Sequence, residues 1–181
     1  IDLVLAESLI ELSAKKPIDK ITIKEITDKA GVIRPTFYNH FQDKYELIEW
    51  IIKSELLEPI KPLLNAGMIF EAIVLMLNNI SANSVFYKKA LKLEGAVTFN
   101  QIAMKCVYEM FMNIISEKST GKKSKYRWLT PEVISTYYAQ SLCFITEGWI
   151  AQGMDDIEPK EMAEAYMYLI TRSMDDILSE L

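Results

Sequence analysis

The chain has 181 residues, half of them hydrophobic and a quarter charged, with 20 Lys and Arg against 25 Asp and Glu for a formal net charge of −5. That balance suits a globular protein with one good core or two small ones and excludes a disordered chain, while the acidity excludes a generic basic nucleic-acid coat, so that any DNA binding has to be local. No apolar run approaches the roughly 20 residues that a bilayer requires, and no charged-then-apolar leader is visible, so a cytoplasmic protein without a membrane partner is expected.

The first informative stretch begins at Thr22. Its hydroxyl is placed to accept from the Glu25 N–H while the Glu25 carboxylate reaches back, a capping box that fixes a helix start, with Ile21 and Ile26 as a staple around it. Ile23, Ile26 and Ala30 recur at helical spacing, and Gly31 supplies the positive φ that ends the helix at Ala30. Val32 turns back towards the core. A second short helix, Arg34 to Phe41, follows with Pro35 in its first turn, where a missing N–H costs nothing. Phe37 and Phe41 share its inner face; Arg34 with Tyr38 and Pro35 with Asn39 share the outer one. That outer set suits a DNA groove: an arginine fork matches O6 and N7 of guanine, an asparagine amide matches N6 and N7 of adenine, and Pro35 fits a thymine methyl. Thr36, Tyr38 and His40 carry donors for phosphates. Asp43 with Glu46 caps a further helix whose Lys44 is expected to reach the DNA backbone, and the helix start at Thr22 offers N–H groups to another phosphate. Between Lys15 and Lys53 eight basic residues face six acidic ones, 8 − 6 = +2, a slight surplus that predicts weak, salt-sensitive non-specific binding.

The run AGVIRPTFYNHFQDKYELI, residues 30–48, resembles the signature of the TetR/AcrR transcriptional regulators: Ala30, Gly31, Val32, Thr36, Phe37, Tyr38, His40, Phe41, Lys44 and Leu47 match in register. The resemblance covers about the first third of the chain strongly. It implies an all-α protein with an N-terminal three-helix DNA-binding domain and a C-terminal helical effector and dimerisation domain, here residues 1–47 and 48–181. It also places Arg34, Pro35 and Asn39 among base contacts, and Thr22, Thr36, Tyr38, His40 and Lys44 among phosphate contacts. Ile33 departs from the pattern, standing where the family often carries serine or another polar residue, which removes a hydroxyl that would cap the helix or bond to DNA. The chain opens at Ile1, so its natural start is expected upstream, where relatives often carry a basic arm.

The rest reads as helical, with breaks at Pro59 and Pro62, Gly95, Gly121 to Arg127 and Gly153 to Pro159. Helix four is expected over Asp43 to Glu58, apolar along Leu47, Ile48, Ile51, Ile52 and Leu56, as the lever between the domains. Further helices are expected over Met68 to Ala82, Ser84 to Leu93, Val97 to Ser119, from Pro131 after Thr130 to Gly153, and from Pro159 onward. The last two carry more apolar surface than a monomer needs. The resemblance implies that they build a four-helix homodimer interface, for which Ile134, Tyr138, Leu142, Trp149, Tyr166, Ile170 and Met174 are candidates, and a dimer implies a near-palindromic double-stranded operator. For any one of these residues, ordinary core is the simpler reading. The segments NSVFYKKAL, YRWLTPE and GWIAQG also resemble, more loosely, the DhaS-type subgroup of the family.

Nine methionines and the aromatics Phe70, Phe86, Phe99, Tyr108, Phe111 and Phe144 are candidates for lining an effector pocket, although such residues are far more often plain core. The effector is open between a small molecule and a protein docking on the basic loop Lys122, Lys123, Lys125 and Arg127, itself more simply a solvated run. Cys106 and Cys143 read as buried free thiols. Catalysis has little support: the one histidine already sits in the DNA module, no metal spacing or phosphate loop appears, and Asp155 with Asp156 and Asp175 with Asp176 diverge by about 100° on a helix. An enzyme would need Glu94, Glu109 or Glu147 in a pocket with a raised pKa. No cofactor is expected. The alternative to an operator binder is a helical protein-interaction module working through a partner alone.

Overall fold

A computed structural model of the chain describes residues 1–118 and 124–180 and contains eleven α-helices and no strand among them. The expected Ser119, Gly121, Lys122 and Lys123 features lie outside the described residues. In α1 (Asp2–Ser13) the residues Leu5, Ala6 and Leu9 share one fully buried face, and Asp2 sits in the first turn where it opposes the helix dipole. Pro17 stops this helix and opens a 3-10 turn, Ile18–Lys20. Three short helices follow: α2 (Ile23–Ala30), α3 (Arg34–His40) and α4 (Lys44–Ile51).

α4 does not end at Ile51. It runs on through a π turn, Ile52–Leu57, in which the Glu58 N–H reaches back five residues to the Lys53 carbonyl at 2.8 Å. The helix expected over Asp43 to Glu58 is therefore widened in its second half, and the wider turn leaves its backbone open to outside partners. The Glu55 carbonyl accepts a hydrogen bond from Asn79 Nδ2 at 2.9 Å, and the Glu55 carboxylate one from Asn83 Nδ2 at 3.1 Å.

Then come α5 (Lys61–Asn65), α6 (Ile69–Ala82), α7 (Ser84–Ala90), α8 (Phe99–Lys118), α9 (Pro131–Ala151), α10 (Pro159–Thr171) and α11 (Met174–Glu180). The sequence expects a break around Pro62, yet that residue occupies the first turn of α5, where a proline is tolerated. α6 and α7 meet at 88°. The helix expected to run on from Pro159 breaks at Arg172, which is extended at φ −110 and ψ 151. The Ser173 N–H then donates to Asp176 Oδ2 and the Asp176 N–H to Ser173 Oγ, each at 3.2 Å, a reciprocal cap that restarts the chain as α11. The long pair α8 and α9, backed by α6 and α10, forms the C-terminal body, and one contiguous core runs from Leu5 through Ile48 and Ile52 to Tyr166. No single described helix is long and apolar enough to cross a membrane.

Candidate nucleic-acid interface and effector cavity

The capping box forms as the residue types predict. Thr22 Oγ1 accepts from the Glu25 N–H at 3.2 Å, and the Glu25 carboxylate accepts from the Thr22 N–H at 2.9 Å. Lys16 pairs with the same carboxylate, and its hydrogen bond, followed by those from Thr22, lowers the Glu25 pKa to about 2. Gly31 takes φ 69 and ψ 27, a left-handed turn that a side chain would strain, and the Val32 N–H closes on the Thr27 carbonyl at 3.0 Å. α3 then leaves at the angle fixed by Phe37 and Phe41, both buried, with ring centroids 5.9 Å apart and Trp50 of α4 edge-on to Phe41 at 6.4 Å.

This anchoring presents Arg34, Pro35, Tyr38 and Asn39 together on the exposed side of α3, with Thr36 half-buried beside them. Arg34 makes no ion pair with any described residue, whereas Lys16, Lys24 and Lys29 are each committed to Glu25, Asp28 and Glu11. Ile33 stands 69% exposed immediately before Arg34. Ile33 lacks the hydroxyl that would cap the helix or bond to DNA; a β-branched side chain this exposed at the head of a row of candidate DNA-reading groups is instead a candidate thymine-methyl contact.

Two of the expected phosphate contacts have partners within the chain. The Lys44 ammonium, expected on a phosphate, donates instead to the carbonyls of Ile18, Asp19 and Ile21 at 3.0, 2.8 and 3.1 Å. All three of its donors are thus spent on the end of the 3-10 turn, and burial lowers its pKa. It clasps the loop before α2 to the start of α4. His40 is exposed but turned by α1: its Nδ1 lies 2.7 Å from Asp2 Oδ1. Asp43 caps α4 as expected, accepting from the N–H groups of Tyr45 and Glu46 at 2.8 and 2.9 Å, but the Glu46 carboxylate accepts from Gln42, one residue before the cap.

α4 is tied to α8 by charge. Glu49 bonds Lys53 at 2.7 Å and Lys105 at 2.8 Å, and Lys53 also reaches Glu109 at 2.8 Å. Burial would raise the Glu49 pKa, but the hydrogen bonds from Lys105 and Lys53 outweigh it and the net shift is downward. Behind this network lie two apolar cavities. The larger, about 340 Å³, is walled by α5, α6, α8, α9 and α10, with Met110, Phe111, Ile134, Tyr138 and Tyr166 among its lining. The smaller, about 40 Å³, lies against Ile52, Leu56 and Leu57 of the π turn.

The cavities redistribute the pocket and interface candidates. Phe111 lines the larger cavity and Phe99 the smaller, but Phe70, Phe86 and Tyr108 line neither: Phe86 is packed edge-on to Tyr87, and the other two lie half-buried against the core. Phe144 is 77% exposed. Conversely Leu142, Trp149 and Tyr166 are buried within their own chain, Trp149 through an indole N–H donated to the Ile157 carbonyl at 2.9 Å, so they cannot cover a second copy directly. Ile134 and Ile170 are half-buried, Tyr138 is at the margin of exposure, and Met174 is 75% exposed. The outward stripe of α9 is Tyr137, Phe144, Gly148 and Ala151, continued by Leu169 on α10. Periodicity revealed a helix apolar on more than one face without saying which face meets what.

Cys106 and Cys143 are buried free thiols that desolvation pushes up to about 12. Of the three glutamates any one of which an enzyme could use, Glu147 lies in the lining of the smaller cavity with a pKa raised by burial, while its carboxylate accepts two contacts from Asn100 Nδ2 at 2.8 and 2.9 Å. Glu109 is spent on Lys53. Among the described residues no group of three or more His, Cys, Asp or Glu is placed to hold a metal.

Residues 7–51 match the family described as bacterial regulatory proteins, tetR family, and residues 68–172, more than half of the chain, match the transcriptional regulator C-terminal region. A curated relative, the HTH-type dhaKLM operon transcriptional activator DhaS of Lactococcus lactis subsp. lactis (strain IL1403), is 26% identical over 152 residues, 83% of this chain and 79% of that protein. The solved structure of the dihydroxyacetone kinase operon activator DhaS superposes with a TM-score of 0.65 at 21% identity over 93% of both chains. That of NalD, the secondary repressor of the MexAB-OprM multidrug efflux pump in Pseudomonas aeruginosa, gives 0.60 at 13% identity over 93% of this chain and 94% of its own. At those identities the two structures establish the fold alone.

Proposed function

The chain belongs to the TetR family and is a DNA-binding transcriptional regulator, and from that premise we propose that two copies read a near-palindromic operator and are switched by an effector held among the C-terminal helices. Residues 1–47 serve as the reading unit and 48–181 as the effector and dimerisation unit, with α4 common to both. The observation that carries the reading is the row Arg34, Pro35, Tyr38 and Asn39, exposed on a helix anchored by buried Phe37 and Phe41. Arg34 takes guanine, Asn39 adenine, and Pro35 with Ile33 thymine methyls. Thr36, Tyr38 and His40 hold phosphates together with the first-turn N–H groups that follow Thr22, whose own N–H and hydroxyl donate to Glu25, and Lys44 acts at one remove by fixing the loop before α2. The apolar stripe of α9 with Leu169 and Met174 covers the matching stripe of a second copy, setting the two α3 helices one DNA turn apart, about 34 to 36 Å, or a multiple of it.

The larger cavity favours a small-molecule effector, and the Glu49, Lys53, Lys105 and Glu109 network supports α4 as the lever: a ligand that favours one arrangement of the C-terminal helices shifts the spacing of the two α3 helices. Relatives include an operon activator and an efflux-pump repressor, in keeping with a sign of regulation set by operator position. Selection of bound duplexes from a random library at stated salt tests the reading, with enrichment of a palindrome expected. If nothing is enriched from folded, dimeric protein, with or without candidate effectors, the interaction-module reading replaces it.

A further inference from the structure

The larger cavity has one charged side chain in its described lining, Lys118, the last residue of α8. The remaining lining is aliphatic, methionine or aromatic, with the hydroxyls of Tyr138 and Tyr166 as its other polar side-chain groups. Tyr166 is already paired with the Ser141 hydroxyl at 3.0 Å. The ammonium is fixed in place: Lys118 Nζ donates to the Leu64 carbonyl near the end of α5 at 2.8 Å, and Leu64 lines the same cavity. An ammonium has three donors, and Lys118 pairs with no described carboxylate. The acidic groups Glu58, before α5, and Glu109, on α8, are engaged by Lys61 and Lys53. Lys118 is exposed, whereas Ala72, Met76 and Leu142 in the same lining are buried. The cavity is therefore polarised, with a positive charge at its solvent end and apolar side chains inward.

We infer that the effector is a monoanionic amphiphile, one carboxylate on an apolar chain, with the chain among Ile73, Met76 and Met110 and the carboxylate on Lys118 at the mouth. The inference rests on the effector reading above and specifies its ligand. The volume, about 340 Å³, lies at the low end of the range for small-molecule pockets, about 300 to 1000 Å³, and suits a single chain of medium length. No carboxylate in the described lining opposes an anion, whereas a cationic head would face Lys118 with no counter-charge beside it. A neutral head forgoes the charge-assisted bond, and a doubly charged head leaves one charge unmatched. The site also reaches the lever. α8 carries Lys105 and Glu109, which hold Glu49 and Lys53 of α4 and its π turn, and Lys118 ties α8 to α5. A head group seated on Lys118 thus acts on the helix that holds α4.

Binding of octanoate, n-octanol and octylammonium to the full chain, measured by calorimetry with the Met76 and Met110 methyl signals followed by NMR, tests this. Octanoate is expected to bind tightest, to weaken as salt is raised, and to shift both methyl signals. Lys118→Met keeps the apolar stem and is expected to weaken octanoate about five- to tenfold, the size of one partly exposed charge-assisted contact, with n-octanol unchanged. Lys118→Glu is expected to put octylammonium ahead of octanoate. Lys20→Met, which removes the same charge from the loop before α2, is expected to leave all three affinities alone. Binding of n-octanol or octylammonium as tight as octanoate in the wild type, or equal octanoate affinity in Lys118→Met, overturns the head-group assignment while leaving the cavity as an effector site. Failure of every probe to bind, or binding that leaves both methyl signals in place, overturns the cavity reading itself.

Discussion

The reading unit and the C-terminal body are stabilised in different ways. From Thr22 to Glu46 almost every turn is closed by a named polar contact: the Thr22 and Glu25 box, the Gly31 turn, the Asp43 cap and the Lys44 clasp. From Ile52 to Tyr166 the main helices, α6, α8, α9 and α10, are long and held mostly by apolar packing, with two cavities between them. A surface that must match a rigid duplex benefits from short helices whose angles are fixed locally, whereas a body that must accommodate a ligand keeps imperfect packing whose cost is spread over a large core.

Substitutions can break that contrast or sharpen it. Phe37→Ala removes the buried anchor of α3 and is expected to cost about 3 to 5 kcal/mol, seen as a fall in the denaturation midpoint together with loss of DNA binding; retained binding would remove the link between anchor and reading row. Arg34→Ala is expected to leave that midpoint unchanged while relaxing base choice at one operator position by about 1 to 3 kcal/mol, measured by competition between single-base operator variants. Lys44→Met separates clasp from phosphate contact. As a clasp its loss costs about 1 to 3 kcal/mol of folding stability, whereas a phosphate contact would leave stability alone and lower the salt slope of binding by about one. Tyr87→Phe should do the opposite of these, leaving stability level or raising it by up to about 1 kcal/mol, because it removes a hydroxyl with no protein partner.

The smallest effect is in pH, and its sign differs between the two regions. Glu25, lowered from 4.5 to about 2 by Lys16 and Thr22, binds fewer protons folded than unfolded, so its stabilisation is full above pH 4.5 and is lost as pH falls towards 2. Glu55 and Glu147, raised by burial, bind more protons folded, so their contribution declines as pH rises from 4.5 through their folded values. Comparing Glu25→Gln with Glu147→Gln by denaturation across pH 2 to 7 should flatten the acid limb in the first case and lift the neutral limb in the second.

The sequence was most legible where the physics is local. Thr22, Glu25, Gly31 and Pro35 each act within four residues, so the bounds of α2 and the start of α3 follow from residue identity, and the alternation of Phe37 and Phe41 with Arg34, Pro35, Tyr38 and Asn39 sorts the two faces of α3. Legibility failed where a residue had a choice of distant partners. Nothing near Lys44 announces three carbonyls 23 to 26 residues upstream, and nothing in α3 announces Asp2 beside His40. The exposed Ile33 was visible as a departure, but its outward position required the fold.

By itself, then, the chain determined an all-helical protein with a capped helix, a glycine turn and a reading helix, because caps, turns and helical periodicity are set by neighbours along the backbone. Tertiary structure alone decided that Leu142, Tyr138 and Tyr166 line a cavity while Phe144 faces outward, and that α4 widens into a π turn. Those outcomes depend on which helix packs against which face, and a helix apolar on several sides gives no local signal to choose among them.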